Sequence, residues 1–213
     1  MKNQKYIFLW ALIATAIIFC IGIFFGYALE ASRISIIDYL YLQSEKQILS
    51  QNTQNVSLND CGKLTENNIK FGDQIYNDAL TIQRYEGANE LTDRIAEEHR
   101  KYDLLRALFW TDSIKIKNSC NSSYHDVVYL YDFNAPSVVQ SSMQVFFSNV
   151  LYELKQKYGN KIMLIPIAGD NNLSSVDLLM KKYNVTEMPT ILIDEKTRIT
   201  QINSKEDIEK YLN

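Results

Sequence analysis

Three prolines and seven glycines in 213 residues leave little material for long flexible linkers. Histidine is scarcer still: only His99 and His125 occur, and Glu97-Glu98-His99-Arg100 lacks the second histidine of a zinc-binding helix motif. Both histidines read as surface residues. The sequence has no glycine-rich phosphate loop, no metal-ligand cluster and no local Ser-His-Asp signature, so neither a metal nor a cofactor is expected. A net charge of −3 lacks the basic excess that nucleic-acid binding requires. Cysteine is limited to Cys20, Cys61 and Cys120. What is present, 46% hydrophobic and 22% charged residues, is the composition of a globular protein. The length suits one ordinary domain and something smaller.

Charge is absent altogether from Tyr6 to Leu29, YIFLWALIATAIIFCIGIFFGYAL. As a helix this run is long enough to cross a bilayer core of roughly 30 Å, and core helices rarely stay apolar all round for such a length. A cleaved signal peptide is the alternative, with Gly26-Tyr27-Ala28 near a cleavage position, but the run exceeds the usual apolar segment of such peptides. Residues 6–29 are therefore expected to be an uncleaved single-pass signal anchor in the cell membrane. Lys2 and Lys5 precede it, while Glu30, Arg33 and Asp38 follow. The positive-inside rule then places the amino terminus in the cytoplasm and everything after Ala31 outside. Cys20 lies inside the run as a small apolar residue.

Three segments follow from the pattern: residues 1–31 as cytoplasmic tip and anchor, 32–120 as helical stalk and hairpin, and 121–213 as a terminal domain. Ile34 to Leu49 carries no Pro or Gly and can extend the membrane helix, and Ser50 to Asp60 reads as a polar break. Leu64, Phe71, Ile75, Ala79 and Ile82 then recur at helical spacing, with Asn59 or Asp60 as N-cap. After Gly87, a second face carries Leu91, Ile95, Tyr102, Leu105 and Phe109. Two such helices with a short joint suggest an antiparallel hairpin. Cys61 and Cys120 bracket it, and an antiparallel pair would bring them together. In an oxidising compartment a disulfide is expected there. A structural bond, an exchanging pair and two free thiols all remain open. Asn55, Asn121, Asn172 and Asn184 open glycosylation sequons, usable only outside the cytoplasm.

The terminal domain reads as strand Asp126–Asp132, turn Ser137–Gln140, helix Met143–Tyr158 closed by Gly159, strand Lys161–Ala168 and helix Leu173–Tyr183. The first of these helices carries Val145, Phe146, Val150, Leu151, Leu154 and Tyr158 as its apolar stripe. Strand Ile191–Ile193, strand Arg198–Ile202 and a closing helix Lys205–Leu212 complete the domain. VVYLYDFNAPSVVQSSM, KIMLIPIAGD and KKYNVTEMPTILID are its landmarks. Through Asp132-Phe133, Ala135-Pro136 and Met188-Pro189-Thr190, about ninety residues resemble the thioredoxin family. The general layout and the KYDLLRALFW to NSCN junction are similar to membrane-anchored thioredoxin-like proteins of archaeal type. The resemblance implies an α/β, three-layer thioredoxin-like domain preceded by a transmembrane helix and a helical hairpin.

The same resemblance marks a loss. Val138 and Ser141 stand where the family's two redox cysteines should be, and neither can serve as nucleophilic or resolving thiol. No oxidoreductase activity carries over. Asp132 matches the family's proton-transferring Asp and without the cysteines becomes a hydrogen-bonded relic or a turn cap. Pro189 matches the cis-proline that exposes backbone groups of the preceding residue, here Met188, to an extended polypeptide. Three functions follow as expectations: an adaptor holding an extended polypeptide between Ser137–Ser141 and Met188-Pro189-Thr190, thiol–disulfide exchange through Cys61 and Cys120, or a structural subunit whose hairpin is the contact face.

Overall fold

The computed structural model describes the backbone of residues 2–57, 60–86 and 93–212. Asn59, Gly87 and Leu91, and the side chains of Asn55 and Ile95, lie outside the described residues. Two compact units divide the chain, Met1–Tyr39 and Leu40–Asn213.

The first unit lies within helix α1 (Lys2–Ser57). From Tyr6 to Leu29 every side chain is exposed, including Phe8, Ile18, Phe24 and Phe25. α1 is long and apolar enough to cross a membrane over its amino-terminal part. It also runs on through Ser50 to Ser57, where the sequence suggests a polar break. Polar residues need not stop a helix, and Ser50 to Ser57 contains neither Pro nor Gly.

In the second unit, Asp60 caps α2 (Cys61–Glu86): its Oδ1 accepts the Lys63 N–H at 3.2 Å. α3 (Asp93–Cys120) returns beside it, and Phe71 meets Phe109 edge-to-face with centroids 5.2 Å apart. Met163 Sδ would lie 2.8 Å from a Cβ at Gly72, so α2 approaches the sheet closely there. Ser44 of α1 donates to Asp78 of α2 at 2.9 Å, and Tyr41 packs edge-to-face on Tyr102 of α3.

The remaining elements are β1 (His125–Tyr131), α4 (Val138–Tyr158), a 3-10 turn at Gly159–Lys161, β2 (Ile162–Ala168), α5 (Ser174–Lys182), β3 (Thr190–Ile193), β4 (Thr197–Ile199) and α6 (Glu206–Glu209). The sheet order is β2-β1-β3-β4. β1 pairs with β2 in parallel from His125↔Ile162 to Tyr131↔Ala168, and antiparallel with β3 from Val127↔Ile193 to Leu130↔Thr190. The parallel pair β1 and β2 is buried over most of its length, as its largely apolar sequence requires. One apolar core joins Val127, Tyr129, Ile191 and Ile193 of the sheet to Phe147, Leu151 and Leu154 of α4, Ile208 of α6 and Tyr76 of α2. Gly159 ends α4 at φ 54, a left-handed position that favours glycine.

Several details differ from the sequence reading. α4 begins at Val138, so Ser137–Gln140 is a capped first turn: Ser137 Oγ accepts the Gln140 N–H at 3.1 Å. Val145 and Phe146 are exposed, and Phe147 takes the core position. Asn121, Asn172 and Asn184 all have positive φ, between 49° and 54°. Asparagine tolerates that region best among residues with a Cβ, so backbone geometry accounts for these three asparagines independently of any sequon.

Candidate functional site

The carboxyl end of β1, the start of α4 and the loop before β3 meet through Gln140. Its Nε2 donates to Asp132 Oδ2 at 3.1 Å and to the Met188 carbonyl oxygen. Gln144, one turn on, holds the Asp132 backbone from both sides: Oε1 accepts its N–H at 2.7 Å and Nε2 donates to its C=O at 3.0 Å. Asp170 accepts the Phe133 and Asn134 N–H groups at 2.6 and 2.9 Å, which shapes the turn into α4. Asp132 is half-buried. Neither glutamine stands out in the sequence, because an amide inside a helix reads as a solvent-facing residue until its partners are known.

The Met188–Pro189 peptide is cis. Pro189 is buried, Thr190 Oγ1 donates to the Glu187 carbonyl at 2.6 Å, and the Met188 thioether covers Gly169, where a Cβ would meet Sδ at 2.5 Å. Val138 is 83% exposed and Val139 73% exposed at the first turn of α4. A shallow notch of about 580 Å³ lies beside them, lined by Phe133, Ala135, Val138, Ser141 and Val145.

A deeper cavity of about 570 Å³ opens from the same place. Tyr129, Tyr131, Leu164 and Pro166 of the sheet form its floor; Ser141, Val145, Ser148 and Tyr152 of α4 form one wall. Tyr76, Ala79 and Leu80 of α2 and His99 and Arg106 of α3 form the other. His99 is therefore no surface residue. It is 3% exposed, with Nε2 2.9 Å from the Tyr131 hydroxyl and 3.3 Å from Asp103, and its ring lies 4.2 Å from that of Phe133. The charged run Glu97–Arg100 misleads because α3 is enclosed on two sides, so a polar stripe of His99, Asp103, Arg106 and Ser113 is buried as fully as the apolar one.

Asp103 anchors that stripe to the sheet. Besides His99, it accepts from Arg106 at 3.0 Å, the Ala168 N–H at 3.2 Å and Asn171 at 2.6 Å. Burial pushes its carboxyl up, and the charges of His99 and Arg106 and the other donors oppose that rise.

A second polar cluster sits at the amino end of β1. Asp126 is fully buried and accepts from Ser113 at 2.6 Å; Tyr124 and Asn68 extend the network. Burial pushes the Asp126 carboxyl up to about 7, against the Ser113 hydrogen bond. Asp194 bonds Lys117, and His125 Nδ1 at 2.6 Å. Burial alone would raise the Asp194 carboxyl, but the bonds from Lys117 and His125 outweigh it and hold it below the ordinary range. His125 is half-buried in this pair, again not free on the surface. Glu195 accepts from Trp110 at 2.7 Å, and burial raises its carboxyl.

Cys61 and Cys120 form a disulfide, Cα atoms 5.2 Å apart, joining the first residue of α2 to the last of α3. Cys61 is exposed, and Cys20 is a free, exposed thiol in the apolar run. Among the described residues no group of three or more His, Cys, Asp or Glu side chains is placed to hold a metal ion. The chain matches no protein-family model, and no curated protein is significantly similar to it in sequence.

Proposed function

We propose that this chain is a membrane-anchored, extracytoplasmic thioredoxin-like protein that lacks the redox motif and binds a polypeptide partner beside the start of α4. The observation that carries the reading is the exposure of Val138 and Val139, 83% and 73%, where the redox family keeps its cysteine chemistry. Two branched apolar side chains held in water at a helix start contribute nothing to the core, and apolar surface of this kind gains by being covered. The sheet order β2-β1-β3-β4, with β3 antiparallel and a cis-proline entering it, supports the thioredoxin-like assignment. The lysines before the apolar run and the disulfide support an amino terminus inside and the carboxy-terminal domain outside. Gln140 occupies the Met188 carbonyl, so an extended segment adding to that loop has to displace it.

A photo-crosslinking residue at position 139 of the full chain, activated in its native membrane, tests this. Discrete crosslinked partners that disappear with Val138→Asp or with a bulky residue at Met188 are the expected result. An unchanged crosslink pattern in both variants would sink it. Exchange chemistry at Cys61–Cys120 is the competing reading, favoured by the exposure of Cys61. It requires the bond to open at the potential of cellular thioredoxins, which a thiol count under graded reductant decides.

A further inference from the structure

Helix α4 carries no charged residue from Val138 to Tyr152, and charge returns only at Glu153. At 1.5 Å per residue this neutral stretch is roughly 20 Å long. Much of it faces water: besides Val138 and Val139, Val145 is 58% exposed, Tyr152 47% and Phe146 41%. A solvated helix face ordinarily carries charge, whereas depletion of charge with aromatic side chains present is the mark of an interface core. The face is also hollow. Phe133, Ser141 and Val145 line both the notch beside Val138 and the deeper cavity, so the two form one trough along the helix. Val138, Ser141, Val145, Asn149 and Tyr152 follow one another along it at helical spacing, with Ala79 and Leu80 of α2 on the opposite wall.

Charge and hydrogen bonding select the occupant. Opposite Val145 and Tyr152, His99 and Arg106 are 3% and 2% exposed and both turn to Asp103, at 3.3 and 3.0 Å. A ligand charge brought to this part of the trough gives up hydration and meets an uncharged helix face. Asp132 lies at the other end, under the first turn of α4, so a basic group is accommodated only there. Ser141, Asn149 and Tyr152 present neutral hydroxyl and amide groups to the trough. Those suit a polypeptide main chain, which is neutral and carries a donor and an acceptor at each residue, and an acyl chain offers them no partner. We propose that the trough along α4 holds an extended, apolar stretch of polypeptide about six residues long, uncharged where it passes Val145 and Tyr152. This inference rests on the polypeptide reading above and carries it from the first turn of α4 to Tyr152, with apolar segments as the ligand class.

Photo-crosslinking residues placed singly at positions 139 and 152 of the full chain in nanodiscs report on the two ends of the trough. The probe is a short fluorescent peptide of Val, Leu, Ser and Asn, blocked at both ends, beside the same peptide with Asp or Lys at its centre. The uncharged peptide should crosslink saturably at both positions, and either central charge should cut capture at position 152 at least about tenfold. Val145→Asp, on an exposed side chain, should leave the melting temperature unchanged and lower capture at position 152 about tenfold, while Val145→Ile retains it. Equal capture of the charged peptides overturns the apolar class, and undiminished capture in Val145→Asp overturns the site. Capture at position 139 without capture at position 152 overturns the trough and leaves the polypeptide reading standing; capture at neither overturns both. Crosslinks to lipid in place of peptide at both positions overturn a polypeptide occupant.

Discussion

Asp126 makes the stability of the folded unit fall as pH rises, opposite to the trend that salt-bridged carboxylates produce. Its carboxyl titrates near 3.8 in the unfolded chain and at about 7 in the fold, where it is fully buried. Between those values the folded state binds more protons than the unfolded one. Stability is therefore fully present below the unfolded value and declines as pH rises through about 7. A gap of about three pH units, at about 1.4 kcal/mol each, gives about 4 kcal/mol for this one group. Glu195, Asp78 and Asp103 are also raised by burial and add to the slope with the same sign. Asp194 is lowered, and its contribution is lost only as pH falls below the ordinary carboxylate range. Asp126→Asn isolates the contribution of the one carboxyl. The variant keeps an acceptor for Ser113, and the 3.8 Å contact to Lys117 that it gives up acts on the ionised carboxylate and is already contained in the value of about 7. Urea unfolding of the disulfide-intact chain, followed by far-ultraviolet circular dichroism from about pH 4 to pH 8, measures the difference between variant and wild type. Across that range the difference should move by about 4 kcal/mol in favour of the Asp126→Asn chain, which does not share the loss at high pH. Parallel profiles within about 1 kcal/mol would refute the burial argument.

Other perturbations follow from the same geometry. Removing the disulfide with Cys61→Ala and Cys120→Ala reopens a separation of 59 residues and should lower stability by about 4 kcal/mol, read as a shifted urea midpoint. Asp103→Ala strips the acceptor shared by His99, Arg106, Asn171 and the Ala168 N–H; a loss of about 3–5 kcal/mol is expected, with faster hydrogen exchange at the Ala168 amide. Val139→Asp, on an exposed side chain, should change the unfolding free energy by no more than about 0.5 kcal/mol, so any loss of partner binding in that variant reports on the surface and not on the fold.

Some of this organisation is legible in one dimension. The Tyr6–Leu29 run declares itself because a charge-free helix of that length is long and apolar enough to cross a membrane. Strand and helix order in the terminal domain follows from period, and the observed ends of β1 and β2 lie within one residue of the expected ones. Asp60 is readable as a cap because its side chain acts three residues away. Interactions that cross the chain are not readable in this way. Gln140 reaches Met188 across 48 positions, and His99 reaches Tyr131 across 32. A charged run such as Glu97–Arg100 looks solvated whether or not the helix is enclosed. The end of α1 is equally silent, since Ser50 to Ser57 is compatible with coil or helix.

The sequence alone determined the apolar helix, the alternation of strands and helices, and the absence of cysteine at positions 138 and 141, because each is a local property of residue type and spacing. Only the tertiary structure decided the pairing of Cys61 with Cys120, the burial of Asp126 and the Asp103 anchor, and the tyrosine-lined cavity. Those depend on which faces of α2 and α3 are pressed against the sheet, and desolvation, which sets the protonation of a buried group, acts only once the faces have met.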